Sequence, residues 1–424
     1  MDGEAERPIA ERYDAIFLDL DGTVYRGDRA VAGAAGALTE IRRRGLRRLF
    51  MTNNSSRTPD EVAGHLSQLG IEAEPGEVLT SALATASFLG REGRSGSTAF
   101  VIGERGIRDA LGSAGVQIVD GEPETADLVV VGLDRYVGYG KLRRASLLVE
   151  RGARLVATND DGSYPAADGL WPGAGALLAA VTTTTGATPS VVGKPARPMF
   201  EAAAEWTGAT RPLVVGDRLD TDIRGAGAMD WDSLLVLTGA AGPRDLLAAD
   251  DLPTYVGSDL SAMLAMTPPA RFRPARPSDV TAVRHLLTSA GLSADGVEER
   301  IEDTIVSMAD EEAGLDGAAC LEPARRGRRV DAILRSVAVR SAVRGEGLGI
   351  LAVASAIRLA RRHRASTVSL FTTSAAPFFE RLGFRPVDRR ELPASVRESR
   401  HAAEECAESA TPMLLRLGHG PDQM

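Results

Sequence analysis

The stretch Ala15-Ile16-Phe17-Leu18-Asp19-Leu20-Asp21-Gly22-Thr23 decides how the rest of the chain is read. Its opening apolar run shows no alternation, which predicts a strand buried on both faces, as in a parallel sheet. Asp19 and Asp21 follow at once, and Gly22 turns the chain away. Both carboxylates therefore stand at the carboxyl end of the strand, where open α/β sheets hold their ligands. Like charges about 4 Å apart repel by roughly 4 kcal/mol at an effective dielectric near 20. Such a pair calls for a cation, a shared proton or a chemical task; two aspartates in a plain turn are the alternative. A calcium loop does not fit. Thr23, Val24 and Ala30 stand where that loop needs an acidic or amide residue, Gly and Glu.

Working outward, Leu49-Phe50-Met51, Leu213-Val214-Val215 and Leu234-Leu235-Val236-Leu237 are runs of the same kind. Between the first two, Thr58-Pro59-Asp60-Glu61 opens a helix: Thr58 can cap, Pro59 suits the first turn, and Glu61 completes a capping box. Val62, Leu66 and Leu69 then share a face, and Gly70 ends the helix. Alternating buried strands and amphipathic helices predict a Rossmann-like, doubly wound α/β core. Further strand ends carry polar groups. Thr52-Asn53-Asn54-Ser55-Ser56 offers hydroxyl and backbone donors, Gly193-Lys194-Pro195 a cation, and Gly216-Asp217-Arg218-Leu219-Asp220-Thr221-Asp222 more carboxylates. Together they form a site for Mg²⁺ and a phosphoryl group. A carboxylate attacks phosphorus, an acid protonates the leaving oxygen, a cation offsets charge repulsion, and Thr and Lys hold equatorial oxygens.

These residues resemble the four motifs of the haloacid dehalogenase superfamily, over roughly residues 13 to 264. Their order is similar to the subfamily with an α/β cap inserted between the second and third motifs, which contains nitrophenyl-phosphatase-like enzymes and phosphatases of nucleotides, pyridoxal phosphate and glycerol phosphate. The resemblance implies Asp19 as nucleophile, Asp21 as general acid/base, and Thr52 and Lys194 as phosphoryl ligands. It implies Mg²⁺ on Asp19, the Asp21 carbonyl and Asp217, with Asp222 orienting a metal-bound water. Substrate choice would lie in Asn53, Asn54 and the cap, with Asp134 and Asn159 as candidates; the loops Gly132–Arg135 and Thr158–Tyr164 read equally well as plain turns. Phosphatases of this superfamily with a trailing acyltransferase-like domain make glycerol 3-phosphate the expected substrate. Pyridoxal phosphate, a nucleotide or a sugar phosphate are the alternatives.

Strand-like runs Ala99–Ile102, Leu128–Val131 and Arg154–Ala157 assign residues 82–186 to the cap and 13–81 with 187–264 to the core. Met266-Thr267-Pro268-Pro269-Ala270-Arg271 reads as a linker (265–271) to a third, α+β domain over 272–417. There the strand Leu334–Val339 feeds Arg344-Gly345-Glu346-Gly347-Leu348-Gly349 and a helix with Leu348, Leu351, Ala352, Ser355 and Leu359 on one face. A glycine-rich turn before a helix exposes N–H groups to an anion, or it is simply a turn. It lacks the Lys-Ser/Thr of a P-loop. The turn resembles the Arg-X-X-Gly-X-Gly pyrophosphate loop of GNAT acetyltransferases, and Phe379-Glu380-Arg381-Leu382-Gly383-Phe384 resembles that family's late helix-to-strand segment. The resemblance implies acetyl-CoA or CoA held by Val339, Arg344, Gly345, Gly347 and Gly349. Many members carry a Tyr near Phe378-Phe379 to protonate the thiolate, so an active N-acetyltransferase and a structural or acyl-CoA-sensing domain both stay open.

The 424 residues exceed one core and predict two or three domains. Hydrophobic residues at 44% and charged residues at 25% fit a soluble globular protein, and a net charge of −9 argues against nucleic-acid binding. No run reaches the roughly 20 apolar residues of a membrane span, and no apolar signal region opens the chain. Cys320 and Cys406 match no metal spacing, which fits a reduced, cytoplasmic protein. A homo-oligomer is compatible with the sequence.

Overall fold

The computed structural model describes residues 7–166, 168–308, 314–399 and 409–418; Cys406 lies outside them. The chain packs as two compact units: one holds Ile9–Ala240 with Ser258–Leu264, the other Ala241–Gly257 and the described residues from Ala265 onward.

In the first unit, five parallel strands run in the order Ser233–Val236, Pro212–Gly216, Ala15–Asp19, Arg48–Thr52, Val78–Thr80. The apolar runs form these strands because both faces of the sheet are covered, so side chains of either parity are buried. Register does the functional work. Asp19 lies beside Met51 and Leu18 beside Val215, so Asp19, Thr52 and Gly216 reach the same edge of the sheet. Helix Pro59–Gln68 starts as its sequence predicts, with Glu61 N donating to Thr58 Oγ1 at 3.3 Å and Thr58 N donating to Glu61 Oε2 at 2.8 Å. Its buried face is Val62, Ala63 and Leu66; Leu69, expected on that face, is the half-buried C-cap.

A second parallel sheet, in the order Ser190–Val191, Arg154–Ala157, Leu128–Val131, Thr98–Ile102, Gln117–Val119, forms the cap within the same unit. It does not stand apart from the core. One hydrophobic cluster runs from Phe17, Leu49 and Met51 through Leu89, Met199 and Phe200 to Val101, Leu128, Val130 and Val156 of the cap strands. The opposite face of the cap sheet buries Phe100, Ile102, Val129 and Val131 against Leu148 and Leu178. A hairpin, Ser163–Ala166 with Gly169–Pro172, was not visible in the hydrophobic pattern because its second strand is exposed throughout.

The second unit carries a mixed seven-stranded sheet. Its strands Arg329–Val339 and Thr367–Thr372 are parallel but pair only at Ala332 with Val368 and Ile333 with Ser369. Helix Leu348–Arg362 is buried over a wider arc than its sequence face predicts. Val353, Ala354, Ala356, Ile357 and Ala360 join Leu348, Leu351 and Ala352, while Ser355 and Leu359 are half-buried. The proline-rich stretch before Phe272 is hydrogen-bonded to its own unit: Thr267 Oγ1 donates to Glu346 Oε2 at 2.7 Å, and Ala270 N donates to Thr254 O at 3.0 Å. Cys320 is buried and reduced. Among the described residues, no helix is long and apolar enough to cross a membrane.

Replacing Thr58 by Ala removes the acceptor for Glu61 N, and the expected cost is about 1 kcal/mol, read as a lowered unfolding midpoint. Thr58→Ser keeps the hydroxyl and should recover most of it; equal losses would assign the effect to the lost methyl packing instead.

Candidate active site

Three strand ends converge on one point. Asp19 closes the strand Ala15–Asp19, Thr52 closes Arg48–Thr52, and Asp217 directly follows Pro212–Gly216, with Asp222 in the short π-helical turn Leu219–Ile223 beyond it; Asp19, Asp217 and Asp222 form an acidic cluster. Each of these three carboxylates offers an oxygen within 4.8 Å of the others. Glycines make that approach sterically allowed. A Cβ on Gly22, whose φ is +86°, would stand 2.4 Å from Asp217 Oδ2, one on Gly239 would stand 1.7 Å from the same oxygen, and one on Gly216 would stand 2.2 Å from Asp222 Cγ. Asp217 Oδ2 also accepts from Ala240 N at 2.6 Å.

Lys194 is buried in the middle of this acid cluster. Its Nζ donates to Asp19 Oδ1 at 2.5 Å, to Asp222 Oδ1 at 2.7 Å and to Met51 O at 3.3 Å. Burial pushes Asp19 up to about 6, with Lys194 pulling down and Asp217 adding to the rise. Burial likewise lifts Asp222 to about 6 against the pull of Lys194. Asp21 is raised to about 6 by desolvation, with Arg57 opposing and Asp217 reinforcing. Asp217 is raised by burial and by Asp222. Burial alone would lower Lys194, but Asp19 and Asp222 hold it above its usual range. An excess of carboxylates over ammonium, in hard oxygen ligands at close range, fits a divalent cation such as Mg²⁺ or Ca²⁺.

A cavity of about 130 Å³ opens above the cluster, with Asp19, Asp21, Thr52 and Lys194 in its lining. Thr52 Oγ1 accepts from Asn54 N at 3.1 Å, and Asn54 Oδ1 accepts from Ser56 N at 2.9 Å. Both side chains face the cavity, but Asn53 and Asn159, read as substrate contacts, are already spent within the protein. Asn53 Nδ2 donates to Asp161 Oδ2 at 2.8 Å and to Lys194 O at 3.0 Å, while its Oδ1 accepts from Lys194 N at 2.8 Å. Asn159 Nδ2 donates to Asn53 O at 2.7 Å, and its Oδ1 accepts from Asp161 N at 3.1 Å. Asn53 thus fastens the cap loop to the Lys194 strand end. Asp134 does not line the cavity. Its carboxylate accepts from Lys141 Nζ at 2.7 Å and from Tyr136 N at 3.1 Å, and Leu133 lines the site in its place. Ser163 and Tyr164, from the Thr158–Tyr164 loop that sequence reading offered as either a substrate loop or a plain turn, line it, and so does Arg218, to which sequence reading gave no role. Arg218 sat inside an acidic motif, so only folding brings it to the rim.

The glycine-rich loop of the second unit is engaged by its own chain. Arg344 Nε donates to Val339 O at 3.0 Å. Gly347 has a φ of +80°, and a Cβ there would stand 2.4 Å from Val256 O. Gly347 is therefore demanded by internal packing. Gly349 faces the Phe378 ring, 3.5 Å from where its Cβ would be, whereas the Gly345 Cβ position is open.

Known proteins match each region. The haloacid dehalogenase-like hydrolase model matches residues 16–117, and a HAD-hydrolase-like model matches 191–263. D-glycerol 3-phosphate phosphatase of Mycobacterium tuberculosis is 39% identical over 270 residues, which span 62% of this chain and 76% of that protein. The chain belongs to the haloacid dehalogenase-like hydrolases. Among other members of this hydrolase family, the acid sugar phosphatase of Staphylococcus saprophyticus is 39% identical over 60% of this chain and 98% of its own length. The crystal structure of a glycerol phosphate phosphatase from Mycobacterium tuberculosis in complex with magnesium superimposes with a TM-score of 0.64 at 31% identity. It covers 83% of this chain and 92% of that one. The same enzyme in complex with calcium gives 0.65 at 30% identity, over 85% and 91%. The acetyltransferase (GNAT) family model matches residues 294–384.

Because folding raises Asp19, Asp21 and Asp222 from 3.8 to about 6, the metal-free protein binds extra protons when folded. Their contribution to stability is complete below pH 3.8 and is lost as pH rises through about 6. A cation bound to the ionised cluster restores it and competes with those protons. Millimolar Mg²⁺ should therefore raise the melting temperature clearly more at pH 7.5 than at pH 5; an equal gain at both would place the cation elsewhere.

Proposed function

We propose that this phosphatase hydrolyses small phosphate monoesters through an aspartyl-phosphate on Asp19, with glycerol 3-phosphate as the leading substrate. The observation that carries the reading is the meeting of Asp19, Asp21, Thr52 and Lys194 in one cavity over a three-carboxylate cluster. In its ionised form Asp19 can attack phosphorus through its free oxygen as the bond to the leaving oxygen breaks. Asp21, two residues on, gives its proton to the departing alkoxide. It then takes a proton from the water that attacks phosphorus, which frees phosphate and regenerates Asp19. Thr52 Oγ1 and Lys194 Nζ hold the phosphoryl oxygens, Lys194 sharing its donors with Asp19 and Asp222. Mg²⁺ held by Asp19, Asp217 and Asp222 would supply the charge neutralisation that lets a dianionic ester approach this acidic floor.

Cavity size and chemistry support the substrate choice. A space of about 130 Å³ lined by Asn54, Ser163 and Tyr164 suits a leaving group of few heavy atoms and several hydroxyls. Pockets for larger organic ligands run to roughly 300–1,000 Å³. That comparison favours glycerol 3-phosphate or a small sugar phosphate over a nucleotide or pyridoxal phosphate.

For the C-terminal domain the observations favour a structural role over acetyl transfer. Arg344 and Gly347 serve their own chain, and Phe378 and Phe379 carry no exchangeable proton at the place where a thiolate would need one.

Asp19→Asn should abolish phosphate release with Mg²⁺ present while the protein stays folded; turnover near wild type would end the aspartyl-phosphate mechanism. Asp21→Asn should cost far more with glycerol 3-phosphate than with nitrophenyl phosphate, whose leaving group needs no proton. Equal losses would remove Asp21 as the acid. Calorimetric titration of the whole chain with CoA should give no binding up to millimolar concentration, and a micromolar dissociation constant would overturn the structural reading.

A further inference from the structure

Lys194 and Arg218 are the cationic side chains that line the cavity, and neither is free. Lys194 is enclosed by Asp19 and Asp222. Arg218 reaches the rim from the acidic strand end with all three guanidinium nitrogens engaged. Its Nε and Nη2 donate to Asp220 Oδ1 and Oδ2 at 3.0 and 2.8 Å, and its Nη1 donates to Asp161 Oδ1 at 3.2 Å. One guanidinium thus faces two carboxylates, one from its own turn and one from the cap.

Asp161 is not a loose surface acid that could swing aside for a ligand. Its other oxygen accepts from Asn53 Nδ2 at 2.8 Å, and its own N–H donates to Asn159 Oδ1 at 3.1 Å. Gly175 N donates to the Asp161 carbonyl at 2.8 Å, and a Cβ on Gly173 would stand 2.3 Å from that carbonyl oxygen. Backbone and side chain are both pinned, so the carboxylate stays at the cavity wall beside Arg218.

We propose that Asp161 is a specificity-determining positioning residue: by holding Arg218 in a two-carboxylate pairing, it disfavours phosphate esters whose leaving group bears a second anionic group and favours those of uncharged polyols. The inference rests on the phosphatase reading above. A carboxylate on the leaving group would give up hydration to enter the cavity and meet Asp161 there. Arg218, already shared between Asp161 and Asp220, has little charge left to offer it. A hydroxymethyl group at the same place meets no such opposition and can hydrogen-bond to the acceptors around it.

Glycerol 3-phosphate and 3-phosphoglycerate test this directly, since a carboxylate in the second replaces a hydroxymethyl group in the first. Steady-state kinetics with Mg²⁺ should show wild-type kcat/KM higher for glycerol 3-phosphate by at least roughly tenfold, the value of one charge-assisted hydrogen bond. Asp161→Asn preserves shape but frees Arg218, and should narrow that ratio by about tenfold through a lower KM for 3-phosphoglycerate. Asp161→Glu, which keeps the charge, should leave the preference on the side of glycerol 3-phosphate. Should Asp161→Asn fail to fold, Asp220→Asn, at an exposed position, releases Arg218 from the other side and should shift the ratio the same way. Equal wild-type activity on the two esters, or a uniform loss on both in Asp161→Asn, overturns the inference while nitrophenyl phosphate hydrolysis leaves the phosphatase reading standing. A wild-type enzyme that cannot hydrolyse nitrophenyl phosphate overturns both.

Discussion

Lys194 between Asp19 and Asp222 is the contact on which the site depends, because it joins Asp19 to an acid of another strand end in a buried setting. Desolvated charges of this kind are costly, and their mutual attraction repays the cost only when geometry and further hydrogen bonds are good. Removing one partner leaves the others uncompensated. The cluster still carries more carboxylate than ammonium, and burial, reinforced by the neighbouring acids, holds Asp19, Asp217 and Asp222 raised. That imbalance makes the site a receptor for a divalent cation and, through it, for a phosphate ester. The sheet register and the glycines at 22, 216 and 239 exist in the service of this crowding: each removes a Cβ that would push a carboxylate out.

The cap is tied to this cluster by polar contacts as well as by shared hydrophobic packing. Asn53 bonds at once to Lys194, Asp161 and Asn159, and Ser55 Oγ accepts from Leu133 N at 3.0 Å and from Thr158 Oγ1 at 3.2 Å. The cap residues that line the cavity are thus set by the same backbone that sets the Thr52 and Lys194 strand ends. One asparagine, Asn53, registers the strand ends and the cap loop against each other. In the C-terminal unit the glycine-rich loop is packed against its own unit, a Cβ on Gly347 meeting Val256 and Arg344 Nε donating to Val339 O.

Much of this was legible in the linear chain. Continuous apolar runs located the core and cap strands to within a residue or two, since burial on both faces leaves no alternation to misread. The Thr58 capping box was readable because it is a local device, complete within four residues. Asp19, Asp21, Thr52, Lys194 and Asp217 could be grouped from sequence because each stands at or just after a predicted strand end, and strand ends of a parallel sheet share an edge; Asp222 joins them through the turn Leu219–Ile223. The shorter elements were not. Val78–Thr80 is too brief for a period to register, and the exposed hairpin strand Gly169–Pro172 has no buried face to announce it.

What the sequence alone determined, then, is which carboxylates, hydroxyl and ammonium the strand ends bring together, because their placement obeys local rules of strand, turn and glycine. Which polar residues are free to meet a ligand was decided only by the tertiary structure. Asn53, Asn159 and Asp134 look in sequence like side chains available to a substrate, and folding gives their hydrogen bonds to Asp161, to backbone and to Lys141. Asp161 and Arg218, separated by 57 positions, become partners at the cavity rim. Availability is a property of the partners a group finds across the fold, and no local pattern of residues encodes those.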